Sequence, residues 1–245
     1  GYSSVMPVTY DSISSFIQHH RYLHSQPDQH RSAAHIDCLW YLKHIKGCKG
    51  RQIELFRTVD ELQQLLQRKK SAKMDDFIIQ QEVTPFLSND HRKFAIRSHA
   101  VIVLDDESKQ YRLYLHRDCI VLANAKRYDA RNVTDKSIHI QQIGKKLPRP
   151  FLLHHSAKYL SLTNIDGIYE QMCDITKKVF SCIGREIEDF GERCKAGNVI
   201  GRYYHLFGCD FMIDENERVV LLEINAFPAI GNGTMTHVDK AIFTR

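Results

Sequence analysis

The stretch "LFGCDFMIDENERVVLLEINAFPAI", Leu206 to Ile230, sets two apolar runs on either side of the polar turn Asp214 to Glu217. Such runs, parted by a short polar turn, read as a β-hairpin. Within it stand Asp210, Glu223 and Asn225. In the register that opposes Asp210 to Glu223, their Cβ atoms are about 5 Å apart. Asn225 lies two residues beyond Glu223 and shares its face. Both strands are otherwise apolar on both sides, so the hairpin reads as buried. Two unpaired carboxylates there would cost several kcal/mol each. Either a hard cation such as Mg²⁺ sits among them, or an Arg or Lys pairs with them, or they line the wet mouth of a sheet.

Upstream, Ile168, Met172, Ile175, Val179, Ile183, Ile187 and Phe190 recur at steps of three and four, which predicts a long amphipathic helix over 168–190. Residues 124–166 are polar and read as a long loop region. "RKFAIRSHAVIVL" and "YRLYLHRDCIVLA" read as two strands joined by the turn "DDESKQ", and "DFIIQQEV" as a buried strand closed by Pro85. Residues 39–70 read strand, Gly/Lys turn, strand, helix, with Thr58 and Glu61 forming a capping box. A helix over 9–24 would take Thr9 or Asp11 as its N-cap. Strands in hairpins with helices inserted predict an α+β architecture with largely antiparallel sheets.

The chain has 245 residues, 43% of them hydrophobic, enough for one large domain or two packed lobes. Its net charge of +5 favours acidic partners but is no nucleic-acid-binding signature. The 7 Cys include no CxxC pair, which fits free thiols in a reducing cytosol. The 14 His show neither HExxH nor zinc-finger spacing and read as scattered solvated side chains. No apolar run is long enough for a membrane span, and no signal peptide is visible.

A metal–nucleotide site also needs cations and close backbone donors. Lys43 ends a strand and leads into "KGCKG", whose glycines would let N–H groups approach phosphate. Lys93 and Arg97 alternate with Phe94 and Ile96, and Arg117 follows the strand "YLH". Arginines on strands commonly clamp phosphate or carboxylate, but pairing with surface acids is the other reading.

Taken in order, "WYLKHIKGCKGRQI", "FIIQQEV", "HRKFAIRSHAVIV", "YLHRD", "DKSIHI", "HLFGCDFMID" and "LLEINAFPA" resemble the tubulin–tyrosine ligase and ligase-like family, a branch of the ATP-grasp fold. The resemblance runs from about Met6 to Pro228. It implies two α/β lobes with mainly antiparallel sheets and nucleotide bound between them. Residues 1–84 would form the central subdomain and 85–245 the C-terminal one, with the family's N-terminal subdomain absent. Lys43 and Lys49 would contact nucleotide phosphates, with Gly47 and Gly50 in the loop that closes over them. Gln80, Gln81, Glu82 and Val83 would form the hinge at adenine, and Lys93 would lie near ribose and phosphates. Arg97 and Arg117 would hold the γ-phosphate and then an acyl phosphate. Asp210, Glu223 and Asn225 would ligate Mg²⁺. The implied reaction is ATP-dependent ligation of an amino acid, tyrosine or glutamate, to a protein carboxylate. The implied partners are tubulin or another acidic protein tail and the free amino acid, in the cytoplasm and near microtubules, with no nucleic acid or membrane. The alternatives are a catalytically silent module that binds nucleotide or tubulin, and a ligase for other substrates.

The sequence departs from the family pattern in four places. Gln81 stands where the family often has Lys, and Ala95 replaces the acid of "KFDIR". "HIQQ", His139 to Gln142, stands for "HLTN", and "KGRQI" lacks the second loop glycine of "KGEGI".

Overall fold

The computed structural model describes residues 5–25, 38–45, 47, 52–69, 74–104, 111–141, 147–186, 189, 192 and 203–228. By contact the chain falls into two compact units. The first holds Gly1–Thr84, Asp90–Lys93 and Asn124–Pro148. The second holds Pro85–Asn89, Phe94–Ala123 and Arg149–Arg245. The single boundary after Thr84 read from sequence is thus joined by two returns of the chain into the first unit.

In the first unit, strands β1 (Thr9–Tyr10), β2 (Trp40–His44), β3 (Ile53–Phe56) and β4 (Phe77–Gln81) form an antiparallel sheet in the order β1-β4-β2-β3. Side chains alternate across β2. Trp40 and Leu42 are buried with Ile13 and Phe16 of helix α1 (Ile13–Ser25) and Leu62 of helix α2 (Val59–Arg68). Leu39 and Tyr41 are buried on the other side with Leu55 and Ile140, and Val133 packs against them. Tyr41 and Lys43 therefore share the face opposite the aromatic core. Helix α2 starts as the sequence predicts, with Thr58 Oγ1 accepting from the Glu61 N–H at 3.2 Å. Helix α1 starts later than expected. Ser12 Oγ accepts from the Ser15 N–H at 3.1 Å, whereas Thr9 lies in β1.

The stretch 124–148 is pinned at several points. Asp135 caps the short helix α3 (Lys136–His139) and accepts from Lys126 at 2.5 Å. The Arg57 guanidinium donates to the Ala130 carbonyl, and Lys136 pairs with Glu54 at 2.5 Å. His139 Nε2 meets the Asn132 carbonyl at 2.8 Å.

In the second unit, strands β5 (Phe94–Leu104), β6 (Tyr111–Leu115), β7 (Ile120–Ala123), β8 (Phe151–Leu152), β9 (Tyr203–Ile213) and β10 (Val219–Asn225) form one antiparallel sheet. Its order is β10-β9-β5-β7-β8, with β6 paired to the far half of β5. Helix α4 (Ile165–Cys182) buries Ile168, Met172, Ile175 and Phe180. Gln171 of α4 fixes the β9–β10 turn by accepting from the Val219 N–H at 3.0 Å and donating to the Glu217 carbonyl at 3.2 Å. The continuous helix ends at Cys182 and is broken at Ile183, after which residues 184–186 and 189 are helical again within the span to Phe190 that the periodicity predicts. No described helix is long and apolar enough to cross a membrane.

Candidate functional site

The β9–β10 hairpin owes its functional row to a bulge. Near the turn Val220 faces Met212 and Leu221 faces Phe211. The register then shifts between Leu221 and Glu223, leaving Leu222 as the extra residue, so that Glu223 faces Asp210. An unbroken ladder would have set Leu222 there. Bulges re-aim side chains in this way beside working sites. On the other side of β9, Arg97 of β5 faces Asp210. One row across three strands therefore reads Arg97, Asp210, Glu223.

The side chains of this row meet. Both Arg97 Nε and Nη2 donate to the two Asp210 oxygens, the latter at 2.7 Å. The Asn225 amide donates to Asp210 Oδ2 at 3.2 Å and to Glu223 Oε1 at 3.0 Å. The three predicted oxygen-bearing residues thus converge, and the cation found among them is Arg97. Asp210 is buried and Glu223 exposed. Burial pushes the Asp210 carboxyl up to about 6, Glu223 adds to the rise, and Arg97 opposes it. Burial would lower the Arg97 pKa, but Asp210 outweighs it and raises it. Among the described residues no group of three or more His, Cys, Asp and Glu could hold a metal. The set here is two carboxylates and an amide, whose oxygens are the hard donors Mg²⁺ takes.

Ala95 lies two residues from Arg97 on β5, on the same face and buried. Gly208 was not singled out by sequence. A Cβ there would lie 3.4 Å from the Cδ and Nη1 of Arg97 and 2.9 Å from the Pro228 Cβ.

Arg117 takes a partner outside this row. Its Nη2 donates to Asp166 Oδ1 at 3.0 Å, and its guanidinium lies 5.7 Å from the centre of the Tyr169 ring. The Arg117 and Asp166 side chains are 73% and 80% exposed, so the pair adds little to stability. Arg117→Ala is expected to keep the free energy of unfolding in urea within about 0.5 kcal/mol of the parent's. Turnover should fall more than nucleotide affinity, because its proposed contact forms in the transition state. An unchanged rate removes Arg117 from the site.

The first unit holds a second cluster. Lys43 Nζ donates to Gln80 Oε1 at 2.5 Å, and Gln80 Nε2 donates to Thr9 Oγ1 at 3.1 Å. Gln81 donates to Cys38 Sγ at 2.9 Å. Beyond β4 the Glu82 N–H donates to the Leu39 carbonyl at 2.8 Å, and Val83 follows outside the strand. Glu82 Oε1 accepts from Lys93 Nζ at 2.8 Å and from the Tyr41 hydroxyl at 3.0 Å, while Oε2 accepts from the Tyr128 hydroxyl at 3.0 Å. Lys93 also donates to the Tyr41 hydroxyl at 2.7 Å. Burial pushes the Glu82 carboxyl up, but His139 and Lys93 together pull it down to about 2. His139 Nδ1 stands 3.6 Å away, beyond a hydrogen bond, so the Lys93 ammonium is the closer influence. Lys93 is itself only 3% exposed. Tyr41, Tyr128 and His139 were missed in the sequence because the last two sit in the stretch read as loop. Lys49 and Gly50 lie outside the described residues, whereas Gly47 lies within them.

Residues 5–244 match the tubulin-tyrosine ligase family. The chain belongs to that family. Its fold is therefore the ATP-grasp fold, and the antiparallel sheets accord with it. A protein from Caenorhabditis elegans named probable tubulin polyglutamylase ttll-9 is 25% identical over 214 residues, covering 79% of this chain and 47% of its own length. The human protein named inactive polyglycylase TTLL10 is 26% identical over 216 residues, covering 78% of this chain and 31% of its own length. Tubulin glycylase 3B of Drosophila melanogaster is 22% identical over 210 residues, covering 80% of this chain and 26% of its own length. The chain spans less than half the length of each of these relatives. Of the departures from the family pattern, Ala95 falls on a buried strand position, whereas His139, which "HIQQ" shares with "HLTN", stands beside Glu82.

Proposed function

We propose that this chain carries the catalytic core of an ATP- and Mg²⁺-dependent ligase that adds an amino acid to a carboxylate of a protein tail. The observation that carries the reading is the bulge that brings Glu223 level with Asp210 and Arg97. A purely structural hairpin has no need to set a second carboxylate beside a buried one. The donor set fits Mg²⁺: Asp210 and Glu223 supply charged oxygens, and Asn225 has a carbonyl oxygen to offer. Bound there with ATP, Mg²⁺ would supply charge neutralisation to the transferring phosphoryl group.

The residues of the chain then divide the work. In the second unit, Asp210, Glu223 and Asn225 would hold the metal. Arg97 and Arg117 donate to phosphoryl oxygens as the acceptor carboxylate takes the γ-phosphoryl group and ADP leaves. The amine then attacks the acyl carbon, phosphate departs, and an amide remains. In the first unit, Lys43, Lys49 and Gly50 serve the nucleotide phosphates, and Gln80 to Val83 serve the base. The acidic tail of tubulin is the proposed acceptor, which agrees with the names of the relatives and with the net charge of +5. A protein with this task works in the cytoplasm, at the cytoskeleton.

Two observations favour a second reading, a nucleotide- or tubulin-binding module without turnover. Lys93 is buried on Glu82, and Ala95 offers no carboxylate beside Arg97. ADP release in the presence of ATP, Mg²⁺, tubulin and each of Tyr, Glu and Gly separates the two. Release with one amino acid establishes the ligase and names its substrate, whereas nucleotide binding without release establishes the silent module.

A further inference from the structure

The Asp210 cluster already contains a cation, and its position matters for any metal that enters. The two Arg97 nitrogens take one Asp210 oxygen each. The Asn225 amide presents its N–H side to both carboxylates. Mg²⁺ needs lone pairs of these oxygens at about 2.0–2.1 Å and needs the carbonyl of the amide, not its NH₂. A guanidinium and a metal ion on the same two oxygens would also repel one another at close range in a part-buried setting.

The chain is built to let the guanidinium lie there. Gly208 leaves open the space that a Cβ would occupy, 3.4 Å from Arg97 Cδ and Nη1. The row register sets Arg97 directly opposite Asp210, so no backbone change is needed for the pair. Glu223 is exposed, which leaves the cluster open to solvent from the β10 side.

We propose that Arg97 is the resident cation of the Asp210–Glu223–Asn225 cluster, and that a divalent ion binds there only by displacing it and turning the Asn225 amide over. This rests on the metal reading above and adds a coupling to it. Displacement frees the Arg97 guanidinium for an anionic oxygen. An anion that draws Arg97 away frees Asp210 for the metal. Metal and triphosphate each remove one half of the same ion pair, so each strengthens the binding of the other.

The test is Mn²⁺ titration without nucleotide, followed by the loss of the free-ion paramagnetic resonance signal. The parent chain is compared with Arg97→Gln and Arg97→Lys. Arg97→Gln is expected to bind Mn²⁺ at least tenfold more tightly than the parent, with Arg97→Lys in between, because a lysine keeps the charge and loses the two-pronged grip. Removal of Arg97 leaves a buried carboxylate unpaired, so thermal unfolding is recorded with and without Mn²⁺. The ion should raise the melting temperature of Arg97→Gln more than that of the parent. Equal or weaker Mn²⁺ binding by Arg97→Gln, with a parent that does bind, overturns the displacement alone. If no chain binds Mn²⁺ at millimolar concentration, the metal reading falls with it.

Discussion

Glu223→Gln is expected to lower Mg²⁺-dependent ATP turnover by roughly 10²-fold or more, with a melting temperature equal to the parent's or slightly higher. The two effects have one origin. Glu223 sits exposed opposite Asp210, and its charge helps push the Asp210 carboxyl up to about 6. Like charges side by side cost the fold something and serve a cation. Replacing one with an amide relieves the fold and weakens the hold on the cation. Glutamine keeps the shape and the hydrogen-bonding partner of Asn225, so loss of activity cannot be ascribed to collapse of the hairpin. Full activity in this variant would mean that the row is structural and that the metal assignment is wrong. The combination of lower activity and undiminished stability is what distinguishes a working carboxylate from a packing one.

Lys93→Met should destabilise the chain by about 3–5 kcal/mol, the range for a buried pair broken on one side. The Glu82 carboxylate, which accepts from Lys93, Tyr41 and Tyr128, would remain charged and buried without its cation. The double variant Lys93→Met with Glu82→Gln should recover more than half of that loss, because it removes both charges. The pH dependence carries the same signature. The Glu82 carboxyl lies at about 2 in the folded chain, below its ordinary value of 4.5. Its contribution is therefore fully present above 4.5 and is lost as pH falls toward 2. Urea unfolding across that window should slope less steeply in Glu82→Gln than in the parent. A single Lys93→Met variant as stable as the parent, or an unchanged acid limb in Glu82→Gln, would show that the pair does not stabilise the first unit.

The hairpin was readable because its signals are local. Two apolar runs, the polar turn between them and the rarity of carboxylates in such runs all lie within Leu206 to Ile230. The bulge at Leu222 was not readable, since the tightest turn and the bulged ladder differ by one residue of register. The 124–148 stretch was read as loop because its ordered parts are short. Its apolar residues Val133 and Ile140 show no period, yet both pack under Tyr41 and Leu55. Tyr128 and His139, far from Glu82 in sequence, join it only through that packing. Arg97 was legible as an arginine that clamps a phosphate or a carboxylate. What it clamps required the β5–β9 register, which pairs residues 113 apart. The helix α4 was legible in its apolar period, but the period runs on past the point where the Ile183 N–H turns to the Phe180 carbonyl.

The measurement that tests the account most directly is a calorimetric titration of the chain with a non-hydrolysable ATP analogue, once in Mg²⁺ and once in EDTA. Placement of Asp210, Glu223 and Asn225 at a metal–phosphate site predicts binding at least tenfold tighter in Mg²⁺. Equal affinity in the two buffers, or none in either, would contradict it.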